Sequence, residues 1–316
     1  MPYSFHSHSG QFCRHAQGDL ESVVKEAIRQ RFVAYGLTEH VPRYRVQDLY
    51  PEEAECSLQY LSDQFDSFVA EAERLRDEYS HSLNIIVGLE TENISPLDID
   101  KLSELLVRHD HRIDYVVGSV HHVHGVPIDF DLPTFQRCLA TLPIAQDTPL
   151  EDIDGRRQSL LLDMYFDAQY DLLQAVKPEI IGHIDLCRLY TPSLHFRDYP
   201  SAWVRLERNI KFAVAYGALF EANAAALRKG WATAYPGADV VELILQHGGR
   251  FALSDDSHGP HAVGLNYGRL RDYLLRAGVR ELWALERSKV PNPGGRYMEP
   301  VRVEGDWWDH AFWGGR

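Results

Sequence analysis

Histidines and carboxylates recur along this chain in short, spaced groups whose donor atoms suit divalent metal ions. The chain opens with His6-Ser7-His8, followed by Cys13-Arg14-His15. Successive side chains on a strand point to opposite faces, so His6 and His8 would aim two imidazoles at one point. Further along stand His40 after Thr38-Glu39, Glu90 after Gly88-Leu89, His121 after Gly118-Ser119-Val120 and His183 after Gly182. Asp256 and His258 lie in Ser254-Asp255-Asp256-Ser257-His258. Taken singly, each has an ordinary explanation: His40 as a capped surface residue, His183 as a satisfied core histidine, Glu90 as a solvated carboxylate. Together, nitrogen and carboxylate oxygen without thiolate fit zinc, manganese or iron in catalytic sites that keep open positions. The nine candidates are His6, His8, His15, His40, Glu90, His121, His183, Asp256 and His258. They exceed the three or four ligands of one catalytic ion, which predicts a cluster of two or three divalent ions.

The elements that must carry these residues alternate between strands and helices. After the opening strand, Asp19 is a plausible N-cap for a helix to Arg31, with Leu20, Val23, Val24, Ala27 and Ile28 on one face. The apolar run 32–37 ends in Thr38-Glu39-His40, and 84–89 ends at Glu90, each reading as a strand whose last residues turn polar. Strands are likewise expected at 115–120, 179–182, 218–221 and 251–253, with a further one possible at 281–285. Helices are expected at about 57–79, 98–108, 156–176, 202–216, 239–246 and 267–277, with a short one at 135–140. The segment 41–55, carrying Pro42 and Pro51, reads as a long loop, more often a surface excursion at such a place than a lid. Repeated β-then-α order implies parallel strands with helices outside, either a barrel or an open sheet. Polar residues at the ends of six different strands favour the barrel, whose active site forms at the C-terminal rim; an open sheet would gather them at one switch point. Without a sharp change of composition, residues 1–316 are expected to form a single α/β domain.

Composition narrows the partners. With 32 basic and 46 acidic residues the net charge is −14, against the basic face that nucleic acid requires. An anionic small molecule remains compatible, since bound cations dominate a local field. Cys13, Cys56, Cys138 and Cys187 form no Cys-x-x-Cys pair and read as free thiols of a reducing compartment. No apolar stretch approaches the ~20 residues of a membrane span, and no secretory pattern opens the chain, so a soluble cytoplasmic protein is expected. Trp307, Trp308 and Trp313 in the tail read as packing residues.

The groups His6-Ser7-His8, Cys13-Arg14-His15-Ala16, Thr38-Glu39-His40, Gly88-Leu89-Glu90, Gly118-Ser119-Val120-His121, Gly182-His183-Ile184-Asp185 and Asp256-Ser257-His258, in this order, resemble the polymerase-and-histidinol-phosphatase (PHP) superfamily. The match is best to its histidinol-phosphatase branch and runs from residue 3 to about 267. The resemblance implies a distorted, TIM-like (β/α)7 barrel with its metal site at the C-terminal strand ends. It also implies one ion held by His6, His8, Glu90 and Asp256, a second by His15, His40 and His258, and a third by Glu90, His121 and His183. The family pattern places the ligand Asp two before His, hence Asp256 rather than Asp255, and takes His121 rather than His122 after Gly-Ser-x. Glu90, Asp256 and His258 are expected to be catalytic.

Such a cluster suits phosphoester hydrolysis, with cations neutralising the phosphate and activating water. The run Glu221-Ala-Asn223 to Arg228-Lys229 is similar to a family motif and supports Arg228 as a phosphate-binding residue; Arg188, five residues past His183, reads either as a second clamp or as a surface salt-bridge residue. The resemblance implies L-histidinol phosphate as substrate, with Glu39, Glu92, Asp185 or the 41–55 loop as candidates for recognising its amine and imidazole. Where the family often has Asp two after the bridging Glu, this chain has Glu92. Competing readings are another phosphoesterase of the superfamily, including a nuclease, an amidohydrolase, which usually has a lysine after strand four, and a metal-binding protein without turnover.

Overall fold

The computed structural model describes residues 1–147 and 149–314; Thr148, Gly315 and Arg316, over which the single-domain expectation also extends, lie outside the described residues. Seven parallel strands form a nearly closed barrel in sequence order: β1 (Tyr3–Ser4), β2 (Ala34–Leu37), β3 (Asn84–Glu90), β4 (Tyr115–Gly118), β5 (Ile180–Ile181), β6 (Leu219–Asn223) and β7 (Arg250–Ser254). Closure comes at the rim, where Ser7–His8 beyond β1 pairs in parallel with Ser257–His258 beyond β7. The same two-residue ladder therefore seals the barrel and sets His8 beside His258.

Period-two alternation divides each strand between two cores. Ile86, Tyr115, Val117, Ile180, Leu219 and Ala252 point into the barrel, while Ile85, Val87, Leu89, Val116, Phe220 and Leu253 face the helices. Glu90 and Glu221 continue the inward rows of Ile86 and Leu219, which puts both carboxylates inside at the C-terminal end. The interior is narrow. A Cβ at Gly36 would lie 1.9 Å from the Tyr115 hydroxyl, and one at Gly88 2.6 Å from its ring, so these two glycines make room for a fully buried Tyr115. The Tyr115 hydroxyl donates to the Phe5 carbonyl at 2.8 Å.

The helices lie where their apolar periodicity places them, with starts within three residues of expectation: Leu20–Arg29, Leu58–Glu78, Pro96–Arg108, Leu132–Thr141, Ile153–Val176, Pro200–Tyr216, Ala238–Gln246 and Tyr267–Arg276. Asp19 accepts from the Ser22 amide at 2.7 Å and Ser57 from Tyr60 at 3.0 Å, satisfying orphan donors of their first turns. Two differences stand out. The strand expected near 281–285 is Trp283–Arg287, paired antiparallel with Met298–Arg302 outside the barrel sheet. Ala284, Leu285 and Met298 of this hairpin join the inner core beneath the strands and plug the N-terminal mouth. The 41–55 segment is no surface excursion: Arg43 and Tyr50 are buried, and two 3-10 turns, Val46–Asp48 and Pro51–Glu53, fold it against the C-terminal rim. Trp307 and Trp313 are buried on the body. Among the described residues no helix is long and apolar enough to cross a membrane.

Candidate active site

All nine sequence candidates meet at the C-terminal end of the barrel, around Glu90. Its Oε2 faces His6 Nε2 at 3.2 Å, His8 Nε2 at 3.3 Å and His40 Nδ1 at 3.1 Å. Its Oε1 faces His121 Nε2 at 3.2 Å and His183 Nε2 at 3.1 Å. One carboxylate thus addresses two imidazole groups, one with each oxygen. The β3 ladder continues past its regular end to hold this arrangement: the Glu90 amide donates to Glu39 O at 3.0 Å and Val41 N–H to Glu90 O at 3.0 Å, bringing His40 alongside.

Asp256 closes the first group, with Oδ1 3.9 Å from His6 Nε2 and 3.8 Å from His8 Nε2. Its backbone is left-handed, φ 46°, a conformation that Asp tolerates better than most residues. That turn separates it from its neighbour. Asp255 faces away from the site, accepting from Ser4 Oγ at 2.9 Å, the Tyr35 hydroxyl at 3.0 Å and Gly264 N–H at 2.7 Å. His15, His40 and His258 form another group, with donor atoms within 4.8 Å of one another. Cys13 joins it, its Sγ 3.2 Å from His15 Nε2. The sequence reading passed over Cys13 as an ordinary thiol.

These residues fit divalent cations. His6 and His8 turn their Nε2 atoms toward each other at 3.1 Å, and Nε2 of His40 is buried without a hydrogen-bond partner. Such donors, packed against ionised carboxylates, want a shared positive charge. Burial disfavours charge on the His6 ring, yet Glu90, Glu221 and Asp256 outweigh it and hold its pKa well above the ordinary imidazole value. Burial also opposes charge on His8, but hydrogen bonds to Glu39 and Glu90 raise it to about 9. At His40 burial wins and pushes the ring down to about 3. Burial works against the Glu90 carboxylate too, but His6, His121 and His40 keep it ionised, well below the usual range.

A carboxylate backs most of the imidazoles from behind, the arrangement that fixes ring orientation in metal sites. Glu221 Oε1 lies 2.7 Å from His6 Nδ1, Glu39 Oε2 3.4 Å from His8 Nδ1, Glu52 Oε1 3.1 Å from His15 Nδ1, and Glu92 Oε2 3.1 Å from His121 Nδ1. Glu92 in turn meets the buried Arg43 of the 41–55 segment at 3.1 Å. Sequence reasoning used Glu221 only as a motif marker for Arg228. The signal for it was the alternation Leu219, Glu221, Asn223, an acid on the inward face of a strand.

The cluster opens into a cavity of about 380 Å³ lined by Tyr50, Glu52, Asp129, Phe130, Arg228 and Lys229 among others. Arg228 reaches the site from the short helix Ala225–Arg228, its Nη1 donating to the Asp256 carbonyl at 3.2 Å. Arg188 does not reach it. Its guanidinium donates to Asp185 at 2.7 Å, Asp239 at 2.8 Å and Leu194 O at 3.1 Å and stacks 4.6 Å from the Phe196 ring, so this candidate clamp sits in a buried ion pair away from the cavity lining. Nor do the expected recognition carboxylates Glu39, Glu92 and Asp185 line the cavity.

The model of the PHP domain matches residues 4–225. The chain belongs to the PHP family. Among curated relatives, "Probable histidinol-phosphatase" of Schizosaccharomyces pombe is 44% identical over 310 residues, 97% of this chain and 96% of that one. The histidinol-phosphatase of Saccharomyces cerevisiae is 31% identical, over 92% and 93% of the two chains. A solved PHP-type fold, histidinol phosphate phosphatase from Lactococcus lactis complexed with Zn, L-histidinol and phosphate, superposes with a TM-score of 0.59 at 18% identity, covering 93% of this chain and 97% of that one. The PHP barrel expected from the strand-end motifs is the one observed.

Proposed function

We propose that this PHP protein is a histidinol-phosphatase, hydrolysing L-histidinol phosphate to L-histidinol and phosphate as a step of histidine biosynthesis. The observation that carries the reading is Glu90, whose two oxygens address separate imidazole groups at the floor of a cavity that also receives Arg228. The names of relatives at 44% and 31% identity supply the substrate.

In this reading His6, His8, Glu90 and Asp256 hold one divalent ion, His15, His40 and His258 a second, and Glu90, His121 and His183 a third. Zinc, manganese and iron suit the donor set. When bound, such ions neutralise the phosphate and lower the pKa of water. The protein's own groups do the rest. Arg228 and Lys229 draw in the phosphate dianion, Arg228 with a fork matched to two oxygens. Glu221, Glu39, Glu52 and Glu92 fix the imidazoles that face them. His258 Nδ1 lies 3.0 Å from the Asp256 carbonyl, which sets its tautomer and leaves Nε2 free for the site. Tyr50, folded over the rim, restricts solvent.

A single domain carries this activity, on a small-molecule substrate, without nucleic acid or membrane. A cavity of about 380 Å³ suits a ligand of that size. Four free cysteines are in keeping with a cytoplasmic setting. The test is phosphate release from L-histidinol phosphate with and without a chelator. Release abolished by the chelator and restored by added metal is expected; release indifferent to the chelator contradicts the reading.

A further inference from the structure

Beyond His121 the chain makes a tight hairpin, His122–Val123 against Val126–Pro127. His124 and Gly125 at its tip have φ of 53° and 74°, the left-handed pair that a two-residue turn of this twist requires. Ile128 N–H then donates to the His121 carbonyl at 2.9 Å, returning the chain to the rim. Asp129 and Phe130 follow at once and line the cavity. Their position is thus fixed through the backbone of a residue in the Glu90 cluster.

The cavity is lined by four carboxylates: Glu52, Glu90, Asp129 and Asp256. Three have partners: Glu52 meets His15, Glu90 the imidazoles, and Asp256 the imidazoles and Asn223. Asp129 differs. Its Oδ1 is buried without a hydrogen-bond partner, and among the described residues no cationic side chain pairs with it. Its surroundings are aromatic: the Tyr190 hydroxyl donates to the Asp129 carbonyl at 3.4 Å, Tyr50 and Phe130 line the same cavity, and their rings stand 6.1 Å apart, centre to centre. A buried carboxylate oxygen left without a partner is satisfied by a cation brought in by the ligand. Aromatic faces beside it favour the same charge.

We propose that Asp129 receives the ammonium group of the substrate. This deepens the phosphatase reading and rests on it. Arg228 follows the sixth strand and Asp129 the fourth, so separate strand ends receive the phosphate and the amine. Substrates bearing a phosphomonoester and a nearby ammonium are thereby preferred over phosphomonoesters without one.

The test compares kcat/KM of the metal-loaded wild type and Asp129→Asn on L-histidinol phosphate and on its deamino analogue, 3-(imidazol-4-yl)propyl phosphate. The wild type is expected to prefer the amine-bearing compound by about 10- to 100-fold, the range for a hydrogen-bonded charge pair. In Asp129→Asn that preference collapses toward unity while metal content per chain is unchanged. A wild type indifferent to the amine, or a variant that keeps the full preference, overturns the assignment. Failure of the wild type to release phosphate from either compound overturns the phosphatase reading instead.

Discussion

Glu221 Oε1 lies 2.7 Å from His6 Nδ1, and Glu221 Oε2 accepts the His183 amide at 2.7 Å, so one buried carboxylate on the sixth strand orients a ring on the first and the backbone of the fifth. Asn223, two residues on, donates to both Glu221 and Asp256. The ring that faces Glu90 is thereby held from behind by a residue that does not touch Glu90.

Glu221→Gln should therefore weaken metal binding without changing the fold. Loss of such a supporting carboxylate typically lowers metal affinity about 10- to 100-fold. Competition with a chromogenic chelator reads this directly. Wild-type affinity in the variant would show that the His6 ring needs no support.

The part of this site that was legible in the sequence is the part set by local rules. Strand alternation put His6 and His8 together, and the β-then-α order with polar strand ends gave the barrel. What was missed depends on tertiary neighbours. Arg188 looked like a phosphate clamp by its distance from His183, but Asp185 one turn before it and Asp239 on a later helix take its donors. The second hairpin strand contains Pro300, which reads against a strand although an edge outside the barrel tolerates it. The 41–55 segment looked like a surface loop because its charges are many; Arg43 is buried only because Glu92 and Glu53 wait for it.

Arg188→Ala should act on stability. Removing one partner of a buried ion pair leaves the other charge stranded, at a cost of about 3–5 kcal/mol. Thermal unfolding checks this, alongside KM for the folded fraction, which should stay near the wild-type value. A raised KM with unchanged stability would restore the clamp.

Arg228→Ala should do the reverse. Its guanidinium stands in the cavity and contacts Asp256 only through the carbonyl, so KM should rise about tenfold or more while metal content stays level. Metal lost from this variant would mean that the residue supports the cluster rather than the phosphate.

The thiols should differ in reactivity. Burial pushes the Cys138 thiol up to about 11 and holds that of Cys187 well above the ordinary thiol value, whereas Cys56 is half-buried. Alkylation of the native protein near pH 8 should label Cys56 and spare Cys138 and Cys187, as read by mass spectrometry of the peptides. Labelling of either buried thiol in the native state would contradict the packing described.

The proposed function turns on Glu90 joining more than one ion in a single working cluster. The most direct measurement titrates metal-free protein with zinc or manganese while following both bound metal per chain and phosphate release from L-histidinol phosphate. Two or three ions per chain are expected at saturation, with release rising only once more than one is bound. Full activity at a single bound ion per chain would contradict the proposal.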